Sequence, residues 1–424
     1  MDEVISTNNN NGDETSTKPS CTIFCSKVKS FNGDAVSPAF LNSQRALIVS
    51  DTRSLVASSN RIVQLEVEFP ANPVKHFTKI EGIPTPITIE QLCETEIPNQ
   101  LKSEIQSIVA SSKYQRIGAI DSRGAFEIFS NEASQLKSLY SVGANSYGSK
   151  TESGWSGLSF DPVAIQNVAV ARYFQRQVHI FDTDRLATTF HLTNNPTQIA
   201  YVQHPSSQQS LLAVTEHNQL NIYDPRLAPR DAIVQRFQPT ADVLYTITTD
   251  GQNVAVGGAS RSVHVYDCRR WTNLGNWSSC LKYEITNAHF SSKYPSAIYL
   301  GGLDSEILAG DWNGSGTTDH FSGLRVDSRW LGISKLKGKE TLFGLTGSGS
   351  VYWVHDVDRL YTPPPPKSKK HTLNNKEKPS KKEKQQQKQQ NKKVKTDSTT
   401  TESTEESTTT TKEQQNIENE KVNQ

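Results

Sequence analysis

Arginine is the most chemically suggestive residue type in this chain. Arg61 (SSNRIV), Arg123 (DSRGAF), Arg176 (FQRQVHIF) and Arg261 (ASRSVHVY) each stand at or beside a short polar turn that leads into an apolar run. Guanidiniums repeated in such turns would offer forked donors suited to carboxylate or phosphate, although arginine is also an acceptable residue in any solvated turn. A second pattern, Tyr-Asp-x-Arg, occurs at YDPR (223–226) and YDCR (266–269) and sets Asp224 with Arg226 and Asp267 with Arg269. Catalytic signatures are missing: the sequence contains no G-x-S-x-G, P-loop, G-x-G-x-x-G or H-E-x-x-H. His179 and His264 each stand two residues before an aromatic, a repetition that speaks for strand packing rather than catalysis. Cys21 and Cys25 form a lone C-x₃-C, whereas a closed zinc site needs about four ligands. The expectation is a protein that is not an enzyme, with no cofactor and no metal.

Composition narrows the class further. The chain has 424 residues, 45 basic and 44 acidic, and a net charge of +1, so no global field selects a nucleic-acid or membrane partner. Its apolar runs are too short to cross a bilayer, and the first twenty residues lack the basic-then-apolar order of a signal peptide. With five cysteines, an odd number, this suggests reduced thiols and an intracellular location, in nucleus or cytoplasm or both.

Three zones separate by composition. Residues 1–20 are rich in Asn, Thr and Ser, which predicts a disordered tail. Residues 21–362 alternate β-branched and aromatic runs with Gly, Asn, Asp, Ser and Pro punctuation, which predicts many short strands. From Pro363 the chain turns Lys/Gln-rich and then Thr/Ser/Glu-rich, and its apolar residues are only Leu373, Val394, Ile417 and Val422. Such a segment cannot bury enough surface to order itself.

The middle zone repeats. Its units end in VQLEVEF (63–69), FEIFS (126–130), VHIFD (178–182), LNIYD (220–224), VHVYD (263–267), ILAGDW (307–312) and VYWVHD (351–356). From Asp182 through Asp224, Asp267 and Asp311 to Asp356 the spacing is 42, 43, 44 and 45 residues. Upstream come an apolar run ending in a turn (LSFDP, YVQHP, ITTDG) and another apolar run (VAVAR, LLAVT, VAVGG). Four strands in roughly 40–45 residues is the period of a propeller blade. Two stretches, 70–104 and 134–154, read as insertions around the second blade.

On these residues the chain resembles the WD-repeat family of β-propellers, over about 340 of its 424 residues. Where that family ends its third strand in Trp-Asp, this sequence has Phe181, Tyr223 and Tyr266 before Asp, and the usual Gly-His pair is absent. The resemblance implies an all-β, seven-bladed propeller of four-stranded antiparallel blades, with CTIFCSKVKSF (21–31) supplying the last strand of the last blade. It also implies a non-catalytic scaffold that binds other proteins through its loop faces. Arg61, Arg123, Arg176 and Arg261 would then ring one face and attract acidic or phosphorylated segments. Tyr-Asp-x-Arg is similar to the box by which some WD-repeat proteins dock on the adaptor of cullin-RING ubiquitin ligases, which makes Asp224, Arg226, Asp267 and Arg269 the alternative contact. That box also expects an earlier Asp, where this sequence has His217 and Ser260.

The tail supports a third function. Residues 367–395 carry 12 Lys against 2 Glu, whereas 396–424 carry 2 Lys against 7 acidic residues. The lysine cluster fits nuclear import or a non-specific RNA contact, or simply a solubilising tail. No aromatic interleaves the lysines for base stacking.

Overall fold

The computed structural model describes residues 23–30, 40–68, 91–132, 135–147, 152–207, 209–313 and 322–356. β-branched and aromatic runs broken every few residues by Gly, Asn, Asp or Ser cannot sustain a helix, and they fold here into antiparallel strands. The strands form seven sheets of four, each following chain order except one. Blade three shows the plan, with Ser156–Phe160 innermost, then Asn167–Arg172, Gln177–Asp182 and Arg185–His191 outermost. Its second strand buries five consecutive residues, whereas its outer strand is largely exposed.

The first strands pack on one another in a ring. They run from Ala46–Ile48 through Ile105–Ala110, Ser156–Phe160, Pro196–Gln203, Leu244–Thr249, Ile285–Phe290 and Trp330–Lys335, and back to Ala46–Ile48. The exceptional sheet closes it. Blade seven takes Trp330–Lys335, Thr341–Thr346 and Ser350–Asp356 from one end of the chain and its outer strand, Ile23–Ser30, from the other. Ile23 lies opposite Asp356 and Ser30 opposite Ser350. A closed ring removes the open sheet edges that would otherwise template aggregation.

The apolar core lies between blades rather than at one centre. Among the described residues seven buried clusters each draw side chains from two neighbouring blades. The aromatic before Asp serves this purpose. Phe181 meets Phe126 of blade two at 5.1 Å, Tyr223 meets Phe190 of blade three at 5.4 Å, and Tyr266 meets Phe237 of blade four at 4.7 Å. Such pairs contribute roughly 0.5–1.5 kcal/mol beyond the area they bury. The Asp that ends the third strand or follows it makes a local turn: Asp224, Asp267 and Asp311 accept the backbone N–H two residues on, from Arg226, Arg269 and Asn313.

Two readings of inserted sequence need correction. Gln91–Ile97, inside the supposed insertion 70–104, is the outer strand of blade one, paired with Arg61–Glu68. Lys137–Val142, inside 134–154, is the outer strand of blade two. Outer strands bury little, so their sequences lack the apolar signature of the three inside them.

Candidate interaction face

Antiparallel order fixes two faces. The turns between second and third strands, and the connections between blades, come out at one end, here called the upper face. The other turns come out at the lower face.

The structure places Arg61, Arg123, Arg176 and Arg261 on the upper face, in two kinds of setting. Arg61 forks onto Glu96 of its own blade's outer strand, Nε to Oε1 at 3.1 Å and Nη2 to Oε2 at 2.5 Å. That guanidinium holds the Glu96 carboxyl below its usual range. Arg123 Nε lies 3.9 Å from Glu152 Oε2. Arg176 and Arg261, in contrast, pair with no carboxylate among the described residues. Their Nη1 atoms donate to Thr193 O and Lys282 O, each at 3.5 Å, bracing the turn to the following connection. Both take left-handed backbone, φ 51° and 59°, at the turn position held by Gly124 in blade two and Gly349 in blade seven. The hairpin demands that conformation, and a non-glycine residue adopts it at a cost.

Hydrogen bonds stitch the upper loops of blades three to five together. Asn195 Nδ2 donates to Tyr173 O at 3.0 Å, His217 N to Asn195 O at 3.2 Å, and Leu244 N to His217 O at 2.7 Å. At the junction of blades three and four, Glu216 is wholly buried. Its Oε2 accepts Thr193 N and Asn194 N, and its Oε1 accepts Asn221 Nδ2 and Tyr223 OH.

Nothing in the residue pattern foretells that the channel's upper mouth is crossed. Residues 40–45 touch inner strands around most of the ring before entering blade one. Asn42 Nδ2 donates to Thr197 O of blade four, and Trp155 Nε1 to Asn42 O at 3.1 Å. Gln44 N donates to Gln106 O of blade two at 2.9 Å, and Gln44 Nε2 to Ile333 O of blade seven at 2.6 Å. Gly332 is required beneath the segment, since an added Cβ would fall 2.5 Å from Arg45 N. Arg45 is buried with its Nη1 2.7 Å from Glu104 Oε1, and burial lowers its pKa.

On the lower face Asp224 and Arg226 form a compact pair, with Arg226 Nε 2.8 Å from Oδ1 and Nη2 2.6 Å from Oδ2. Arg226 lowers the Asp224 pKa, and its Nη2 also reaches Gln209 Oε1 at 2.9 Å. Arg269 Nε lies 3.4 Å from Asp267 Oδ1 in the equivalent turn of blade five. The structure thus brings each Asp to its own Arg, on the face opposite Arg176 and Arg261.

The buried titratable groups are structural. His179 Nδ1 lies 3.0 Å from Thr189 Oγ1, and burial, helped by Arg172 and His191, takes its pKa down to about 4. His289 Nε2 lies 2.7 Å from Ile333 O, and burial takes its pKa to about 4 as well. His264 is lowered by burial. Among the described residues no three His, Cys, Asp or Glu side chains come together as a metal site would require. The Cys21–Cys25 pair lies outside the described side chains.

No protein-family profile matches the chain, and no curated protein matches it in sequence. Among solved structures it is similar to a chain in the crystal structure of a mitotic checkpoint complex. The TM-score is 0.55 at 12% identity, covering 77% of this chain and 98% of that one. At that identity the likeness is one of fold. The chain is a seven-bladed β-propeller that shares its architecture with a component of a multiprotein complex.

Proposed function

We propose that this chain is a WD-repeat-like scaffold, a non-catalytic propeller of residues 21–362 on which partner proteins assemble, flanked by tails 1–20 and 363–424. The observation that carries the reading is the upper face of blades three to five. Its loops are tied together by hydrogen bonds, and Arg176 and Arg261 stand on it with no carboxylate partner among the described residues. Such a face suits an acidic or phosphorylated segment of another protein.

The ligase-adaptor reading has its own supporting observation: two adjacent blades present the same Asp–Arg pair, Asp224–Arg226 and Asp267–Arg269, on the lower face. An RNA contact or nuclear import would rest on the lysine cluster at 367–395, outside the described residues.

Affinity purification of tagged full-length protein with mass spectrometry tests these together. Arg176→Glu with Arg261→Glu should abolish partner recovery, while Arg226→Ala with Arg269→Ala should preserve it. The reverse pattern, with a ligase adaptor among the lost proteins, overturns the upper-face reading. Recovery of ribonucleoprotein components that vanish on deleting 363–424 would move the RNA reading ahead.

A further inference from the structure

We infer that the blade-three turn Tyr173–Arg176 is an anchoring site for an aromatic or long aliphatic side chain carried on an acidic segment of a partner protein. This rests on the upper-face reading and adds to it what the partner must present.

The turn exposes an aromatic that the fold holds still. Phe174 is 58% exposed. Its ring lies over Gly154, where an added Cβ would fall 2.7 Å from it, so glycine there is what lets the ring lie down. Tyr173 packs against it at 5.4 Å, edge to face, and Phe40 at 6.4 Å, while Phe40 and Tyr173 are 5.8 Å apart. Phe40 belongs to the segment that crosses the channel mouth, so three separate stretches of chain build the cluster. The turn's backbone is tied at each end: Tyr173 N to Trp155 O at 3.0 Å, Phe174 N to Ser153 O at 3.1 Å and Leu192 N to Arg176 O at 2.8 Å. A preorganised exposed aromatic loses little entropy on binding, and such residues carry a large share of interface energy.

Charge gives the occupant its second feature. Two residues after Phe174, Arg176 offers its forked donors, and on the same upper face stand Arg261 of blade five and Lys282 of the connection that follows it. Of the carboxylates on this part of the upper face, Glu216 is engaged by Asn221 and Tyr223, Glu284 by Tyr245, and the half-exposed Glu152 lies 3.9 Å from Arg123, which leaves Asp242 exposed and without a cation among the described residues. This balance suits one carboxylate or phosphate beside one apolar side chain. It does not make the continuous cationic track that a nucleic-acid strand requires.

The test selects random 16-residue peptides, displayed on phage, against the full chain, and measures the best of them by fluorescence anisotropy. Enriched peptides should carry an aromatic or leucine beside Asp or Glu. Phe174→Ala should weaken the best peptide roughly tenfold or more, as should Ala in place of the peptide's aromatic, with the melting temperature unchanged. Phe40→Ala, in a different segment, should give a similar loss and guards against a folding artefact. Absence of enrichment, enrichment of basic peptides, or equal binding by Phe174→Ala overturns the anchor. So does a labelled oligouridylate that binds in a Phe174-dependent way. If Phe174→Ala binds normally while Arg176→Glu with Arg261→Glu loses its cellular partners, the anchor fails and the platform stands. If both bind normally, both fail.

Discussion

Tyr223 donates its hydroxyl to Glu216 Oε1 at 2.5 Å, inside the wall between blades three and four. The tyrosine is the aromatic that ends the third strand of blade four, and the glutamate ends the second. The same carboxylate takes Asn221 Nδ2 at 2.6 Å and two backbone N–H groups from the incoming connection. A buried carboxylate satisfied on all sides joins the blade to its entry loop. Glu216→Ala would strand four donors and is expected to cost about 3 kcal/mol or more. Tyr223→Phe removes one, at about 1–2 kcal/mol. Urea unfolding of the two variants measures the difference, and equal costs would show that the network does not act through the carboxylate.

Acid should weaken the fold through His179 and His289. Unfolded histidine titrates near 6.5, and both are held near 4 in the protein, chiefly by burial. Below pH 6.5 the unfolded chain therefore binds more protons than the folded one, and stability falls as pH drops from 6.5 toward 4. The loss is on the order of 3 kcal/mol per histidine at the acid end of that window. Urea midpoints at pH 7 and pH 5 should converge in His179→Gln with His289→Gln relative to the parent. Parallel losses would assign the acid sensitivity elsewhere.

Ring closure sets the effect of N-terminal truncation. Deleting 1–31 removes Ile23–Ser30 and leaves Ser350–Asp356 as an unpaired edge, so light scattering should reveal aggregation. Deleting 1–20 should leave scattering and melting unchanged. Identical behaviour of the two truncations would mean that this strand does not hold the ring.

Arg176 and Arg261 occupy left-handed backbone that glycine adopts freely. Arg176→Gly and Arg261→Gly should each leave stability unchanged or raise it by up to about 1 kcal/mol, whereas valine should lower it by a similar amount. Arginines whose removal stabilises the protein while impairing partner recovery would be held there by binding rather than folding. A clear loss of stability in the glycine variants would make them structural braces instead.

The last prediction concerns 363–424, a segment outside the described residues with very few apolar side chains. Its deletion should leave the melting temperature almost unchanged. If the lysine cluster directs import, the same deletion should shift a tagged protein from nucleus to cytoplasm, and unchanged distribution would remove that role.

The blade plan was legible in the sequence because it is local. The spacing from Asp182 to Asp356 and the turns after LSFDP, YVQHP and ITTDG record which residues prefer pleated backbone and which allow a reversal. The closing strand could be inferred as well, since only six residues separate Asp356 from the four prolines at 363–366, too few for a fourth strand of blade seven. Outer strands were the gap: Gln91–Ile97 and Lys137–Val142 face solvent and carry no apolar signature. The site was legible only as residue types in turns. That Arg61 is paired with Glu96 while Arg176 has no carboxylate partner among the described residues depends on what a distant strand brings alongside. Only the closed ring could lay Asn42 against Thr197, 155 residues away in sequence, and set Phe40 beside Phe174. Backbone preference acts over a few residues, whereas these partners are chosen by the packing of whole blades, so the same Arg-in-a-turn pattern yields an ion pair with a carboxylate in one blade and a contact to a backbone carbonyl in another.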